Sequence, residues 1–303
     1  MYYFFRFASV VIPRLPHWFV LSLANVIGLV TWLVAGKPRK QATVNILHVL
    51  GTQVLATHAG RRQLRKTVRS MFQYRVRNYL ELFFLPYTQP EVIMSHIVAE
   101  GIEYLEAALA GGKGVILFSA HLGPFEYLVR WLSINGYQVI IPVERLKDQR
   151  MLDLMLKMRS SQGLHYIPLG GSGPLRSIIQ ALRNNQIVLI MVDRAVEGES
   201  VVKPFFGEPA RLPIGAVSLS QRTGAPLLGV FGRYTSSKLM LGELTPLSLA
   251  LTVEEQANTD TLMCGVIERM ERFIRAHPEQ WVVFSPVWIE NHSSSNTEGN
   301  TGF

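Results

Sequence analysis

Gly114-Val115-Ile116-Leu117-Phe118-Ser119-Ala120-His121-Leu122-Gly123-Pro124-Phe125-Glu126 is the stretch that decides the class of fold. It opens on an apolar run, the pattern of a strand buried on both faces of a mainly parallel sheet. Gly123 and Pro124 read as a cap position and the first helical residue, so Glu126 falls in the first turn of the next helix. Strand, short turn and helix in succession are the building unit of α/β sheets.

The alternation continues outward. Strands are expected at 114–119, 138–143, 165–169, 187–192, 227–233, 239–244 and 282–285, with helices at about 124–134, 147–161, 174–184, 214–223 and 254–276. The expected class is therefore α/β, a mainly parallel central sheet flanked by helices with right-handed crossovers. No internal repeat or linker divides this body, taken as residues 81–290. The tail at 291–303 (NHSSSNTEGNTGF) has the polar composition of a disordered segment.

Upstream the character changes. The chain has 303 residues and a formal charge of +8, yet its first carboxylate is Glu81, so residues 1–80 carry +12 and the remainder −4. Hydrophobic residues make up 48% and charged residues 17%, which excludes a disordered chain. A basic region points to nucleic acid or to an anionic membrane. The aromatic and aliphatic first 36 residues suit lipid and suit phosphate tracking poorly, so no nucleic-acid partner is expected.

Trp18 to Ala35 is uncharged and about 27 Å long as a helix, the short end of what spans a bilayer. Lys37, Arg39 and Lys40 would hold the rest of the chain on the cytoplasmic side of the cytoplasmic membrane. Arg6 and Arg14 on the other flank equally suit a monotopic hairpin of helices at 2–12 and 18–35 lying in the interface. Residues 1–80 thus form an expected apolar, basic membrane-attachment region; neither flank suits a cleaved signal peptide. Within 61–77, Leu64, Val68, Met71 and Phe72 make an apolar stripe among seven cations, suited to a solvated face or to anionic headgroups. The single Cys264 excludes an internal disulfide and a multi-cysteine zinc site.

No GxSxG elbow, HExxH, Walker or GxGxxG motif is present. GGSG at 170–173 reads as a turn or a phosphate cradle. His121 remains, just past the end of a buried strand, the edge where open α/β sheets build their sites. A turn between His121 and Glu126 would let the carboxylate fold back onto the imidazole, fix its tautomer and leave the other nitrogen to take a proton from a substrate hydroxyl. The alternative is a strand-capping histidine and a helix-dipole acid.

The His-x4-Glu block in VILFSAHLGPFE resembles the motif of glycerolipid acyltransferases, in the branch of the lipid A late acyltransferases and, more closely, the phosphatidylinositol mannoside acyltransferases. VERLKDQRM (143–151), MRSSQGLHYIPL (158–169), the long block at 192–228 and HPEQWVVF (277–284) resemble that branch in order, as do Arg39 and Asn45. The resemblance implies His121 as general base and Glu126 as its orienting partner. It implies Glu144 and Arg159 as a charged pair near the site, and Asp193 and Arg194 at the sheet edge, with Arg194 facing a phosphate or the thioester carbonyl. A salt bridge from Arg194 to Glu197 or Glu199 is its plainer reading.

The segment 205–213 would lie beside the acceptor or acyl channel as a Pro-Gly loop, with Phe206 and Arg211 contacting substrate. VERL departs from the lipid A members and points away from a lipid A acceptor. PEQW reads as packing, with Trp281 apolar beside VVF and without chemistry.

The implied activity is O-acyl transfer from acyl-CoA or acyl carrier protein to a hydroxyl of a glycolipid or (lyso)phospholipid, without acyl-enzyme, cofactor or metal. A lipid or thioester hydrolase using the same pair, or a non-enzymatic basic adaptor, are the competing classes.

Overall fold

The strand Val115–Ser119 has all five side chains buried, because layers of helices cover both of its faces. The structure is a computed structural model and describes residues 2–160, 163–170, 173–195, 198–235 and 240–289. Numbered in chain order, its front comprises the helices α1 (Tyr2–Val11), α2 (His17–Val34), α3 (Gly36–Leu50) and α4 (His58–Phe84). There follow α5 (Pro90–His96), β1 (Ile97–Glu100), α6 (Ile102–Ala110), β2 (Val115–Ser119), α7 (Phe125–Ile134), β3 (Val139–Val143), α8 (Gln149–Arg159) and β4 (Leu164–Pro168). The last part holds α9 (Gly173–Arg183), β5 (Ile187–Met191), β6 (Ser200–Phe205), β7 (Glu208–Pro213), α10 (Gly215–Thr223), β8 (Leu227–Tyr234), β9 (Met240–Pro246), α11 (Val253–Ala257) and α12 (Thr259–Ala276).

Seven of these strands form one sheet in the order β1-β9-β8-β2-β5-β3-β4. Only the β8–β9 pairing is antiparallel, so β1 and β9 run against the other five. This is the mostly parallel α/β sheet that the apolar runs imply. In β2, Ile116 and Phe118 enter a core shared with α3, α4, α10 and α12, while Val115 and Leu117 enter a second core with α6 and α7.

Two local expectations are corrected. Residues 282–285 form no strand; Trp281 makes one isolated bridge to Leu122. Residues 200–213, read partly as a Pro-Gly loop, are the β6–β7 hairpin. Pro204 and Pro209 sit opposite each other, and Phe206 and Gly207 turn the chain with positive φ of 52° and 82°. Two successive left-handed residues give the twist that a two-residue hairpin needs. A proline in each strand hides the pattern from the sequence. Of the GGSG stretch, residues 171 and 172 lie outside the described residues, as does the tail at 291–303.

The front is built into the body. The stripe Leu64, Val68, Met71 and Phe72 of α4 is buried in the sheet's core. α2 runs antiparallel along α4: His17 Nε2 lies 3.9 Å from Glu81 Oε1, and a Cβ on Gly28 would come within 2.5 Å of Gln73 Cα. Glycine allows that close approach.

Arg39 closes the end of α2, donating to the Trp32 and Leu33 carbonyls at 2.9 and 3.1 Å. Asn45, fully buried on α3, donates to the carbonyls of Val283 and Ser285, both at 3.1 Å, and so fastens the C-terminal segment. Asn45→Ala would strand both carbonyls and is expected to lower stability by about 2 kcal/mol, measured by denaturant unfolding.

Candidate active site

β2 and β5 are neighbours in register, with Ser119 opposite Met191. His121 and Asp193 each stand two residues beyond that pair, so the sheet delivers both to one point at its C-terminal edge. The Val192 N–H donates to the Ser119 carbonyl at 2.8 Å and extends the pairing towards them.

His121 Nδ1 lies 2.8 Å from Asp193 Oδ1. A carboxylate only accepts, so Nδ1 carries the proton, and in the neutral tautomer the lone pair is on Nε2. The backbone N–H of His121 donates to Asp193 Oδ2 at 2.9 Å, and the Trp281 indole N–H donates to the same oxygen at 2.8 Å. Asp193 has no exposed surface, whereas the His121 side chain keeps about a quarter of its own. Burial alone would raise the Asp193 pKa. The imidazole beside it and the hydrogen bonds from His121 and Trp281 prevail, holding the carboxyl below the ordinary range.

Glu126 is not the partner of Nδ1. It lies in the first turn of α7 as expected, but Arg159 at the end of α8 donates to its Oε1 through Nε at 2.7 Å. The two side chains are 10% and 19% exposed, so this is a largely buried pair. Glu144 in turn pairs with Arg194 at 3.1 Å. The expected Glu144–Arg159 pair is thus exchanged for two others: Glu144 follows β3 and Arg194 follows β5, adjacent strands whose ends bring them together, while Arg159 faces α7. Of the two plainer partners expected for Arg194, Glu197 lies outside the described residues; the Arg194 bond recorded is to Glu144.

Phe206 and Arg211 belong to the β6–β7 hairpin. The Phe206 N–H donates to Glu271 and its ring is covered by the Arg275 guanidinium at 4.9 Å, both on α12. Arg211 has an exposed side chain on β7, and its N–H donates to the Val287 carbonyl.

The loop from His121 to Gly123 is held from behind. The His121 carbonyl accepts from the Val282 N–H at 2.9 Å, and the Gly123 N–H donates to the Gln280 carbonyl at 3.2 Å. Asn78 of α4 donates to the Gly123 carbonyl at 3.1 Å. Gly123 has φ +62°, and a Cβ there would collide with the Gly232 carbonyl oxygen, so this turn requires glycine.

The Phe125 ring stands 6.2 Å from the imidazole, edge to face. It also borders an apolar seam of about 30 Å³ between α7 and the sheet, with Ser119, Leu128, Met191 and Val230. Gly232 and Gly242, paired across β8 and β9, leave the seam floor without side chains, and Leu128 rests on it. A larger hollow of about 460 Å³ opens at the edge strand β4, between Leu156, Tyr166 and Ile167, three strands from β2 and so about 14 Å away. Among the described residues no group of three or more His, Cys, Asp or Glu side chains is arranged to hold a metal ion.

The profile of the bacterial lipid A biosynthesis acyltransferases matches residues 1–290. The chain belongs to that family. It is an acyltransferase. Phosphatidylinositol mannoside acyltransferase of Mycobacterium tuberculosis (strain CDC 1551 / Oshkosh) is 28% identical over 276 residues, 81% of this chain and 82% of its own. That of Mycolicibacterium smegmatis is 27% identical over 231 residues, 75% of this chain and 73% of its own. The matching sequences thus include glycolipid acyltransferases, and the family match takes in the front helices with the sheet.

Asp193 is legible in the sequence as a site residue but not as the imidazole's partner, and Trp281 reads there as packing alone. The missing signal is the adjacency of β2 and β5. The pairing of Glu126 with Arg159 predicts a double-mutant result. Glu126→Gln or Arg159→Met alone is expected to cost about 3 kcal/mol by leaving a largely buried charge unpaired, and the two together much less, measured by chemical denaturation.

Proposed function

We propose that the protein transfers a fatty acyl group from a thioester, acyl-CoA or acyl carrier protein, to a hydroxyl of a membrane glycolipid, with His121 as general base and Asp193 as its orienting carboxylate. The observation that carries this reading is the bond from Nδ1 to a fully buried carboxylate at the sheet edge, which in the neutral imidazole assigns the lone pair to Nε2. Nε2 takes the proton of the acceptor hydroxyl as that oxygen bonds to the thioester carbonyl carbon. The tetrahedral intermediate then breaks its C–S bond, and the imidazolium returns the proton to the departing thiolate.

The acceptor oxygen is itself the nucleophile, so a serine elbow has no part in the scheme. Arg194, oriented by Glu144, is the cation we assign to the developing oxyanion, and the seam beside Phe125 is the entry we assign to the acyl chain. Glu126 acts through Arg159, fixing α7 against α8. The likeness to phosphatidylinositol mannoside acyltransferases makes a mannosylated phosphoinositide the acceptor to try first.

The front is the membrane seat in this proposal. Tyr3, Phe4 and Phe7 of α1 and Trp18, Val30 and Leu33 of α2 are exposed, an apolar surface with Lys37 and Lys40 at its end. α2 is, among the described residues, the one helix long and apolar enough to cross a membrane. Its packing along α4, whose other face lies in the sheet's core, favours an interfacial helix over a spanning one. The cations of α4 then face anionic headgroups on the cytoplasmic leaflet.

His121→Ala is expected to abolish transfer from labelled acyl-CoA. Asp193→Asn should lower kcat by about 10³- to 10⁴-fold, the scale seen when an orienting carboxylate is neutralised. Wild-type rates in the His121 variant would sink the assignment. For the front, the protein should bind phosphatidylglycerol vesicles less as salt rises and be released by alkaline extraction. Val30→Glu with Leu33→Glu should weaken binding by about tenfold or more. Retention after alkaline extraction would instead mean a spanning helix.

A further inference from the structure

We propose that Trp281 is a positioning residue for acyl transfer: its indole N–H locks the Asp193 carboxylate in the orientation that the His121 imidazole requires. This rests on the reading of His121 as the base.

The side chain is fully buried, and one role is plain packing, through rings such as Phe205 at 6.3 Å and Trp288 at 6.2 Å. Packing does not account for where its one polar atom points. Asp193 Oδ1 is given to the imidazole, and among the described residues Oδ2 is held by the His121 backbone N–H and by Trp281. The first of these donors belongs to the loop being positioned. Trp281 is the donor from a separate part of the chain.

Its backbone is fixed on both sides. Val282 and Gln280 bond to the His121–Gly123 loop, and Asn45 holds the carbonyls of Val283 and Ser285. The Gln280 side chain accepts from the Tyr234 N–H at 2.8 Å and donates to the Tyr234 carbonyl at 3.0 Å. An indole mounted this way keeps its N–H aimed while the imidazole gains and loses a proton.

Two replacements remove the donor. Trp281→Phe keeps an aromatic ring, and replacing Trp281 with benzothienylalanine keeps the bicyclic shape while exchanging N–H for sulfur. Phe231→Leu, a buried aromatic stacked on Phe273 of α12, is the control for lost packing. With both donor-less variants we expect kcat to fall by about 10- to 100-fold, the scale of a hydrogen bond to a charged group, with KM unchanged. The acid limb of the pH–rate profile should move to higher pH, because Asp193 then presents more uncompensated negative charge to the imidazolium. Phe231→Leu should lose stability with kcat and acid limb near wild type.

A benzothienylalanine variant with wild-type kcat and an unmoved acid limb, beside an inactive His121→Ala, would overturn the role of Trp281 and leave the base assignment standing. Transfer surviving in His121→Ala would overturn both, through the base.

Discussion

A carboxylate with no exposed surface is the constraint around which this molecule is assembled. An ionised carboxylate taken out of water is several kcal/mol unfavourable unless donors replace its hydration. Among the described residues Asp193 receives three, and each depends on a different feature of the fold. The imidazole arrives because β2 lies beside β5, and the His121 N–H because the chain turns at Gly123. The indole arrives because the C-terminal segment is fastened to α3. Loss of any one leaves a buried charge undersupplied, so the geometry of the candidate base and the stability of the fold are set by the same contacts.

The helical front belongs to that assembly. α4 packs its apolar stripe into the sheet's core, reaches the Gly123 carbonyl through Asn78, and carries α2 on another face. Further along, Glu81 accepts from Arg77 at 2.9 Å and from the Tyr234 hydroxyl, whose oxygen lies 2.9 Å from Asn78 Oδ1. Tyr234 is in turn held by Gln280. The residue preceding Trp281 is therefore tied to α4, the helix along which α2 packs. The +12 of residues 1–80 is carried by the scaffold of the site.

How much of this the chain discloses depends on the range of the interactions. The runs at 115–119, 139–143 and 187–191 are readable because burial on both faces is a local demand on composition. The turn at Gly123 is readable because cap residues act over a few positions, although α7 starts at Phe125 with Pro124 as its cap, one residue later than the Gly-Pro pair suggests. Partner choice is another matter. His121 and Glu126 are near in sequence, which makes a fold-back plausible, yet sheet order sets who meets whom, and Asp193 lies 72 residues away. The exchange of partners between Glu144–Arg159 and the two observed pairs has the same origin. Trp281 shows a further limit: its apolar neighbours announce packing, while the direction of one N–H is decided by Asn45 and by the His121–Gly123 loop.

The separation of the two carboxylates has a chemical consequence. If Glu126 held the imidazole, the first turn of α7 would have to stay rigid on that ring and also line the seam where Phe125 stands. Asp193 frees α7 from the first duty. With Glu126 turned to Arg159, the helix is anchored on its α8 side, and Phe125 and Leu128 are left to line the apolar seam. That seam holds only about 30 Å³, far less than an acyl chain, so a chain entering there must displace side chains such as Leu128 from above Gly232 and Gly242. The bare floor gives Leu128 somewhere to rest and somewhere to leave. Because the imidazole takes its orientation from Asp193 after β5, such a movement in α7 would leave that bond in place.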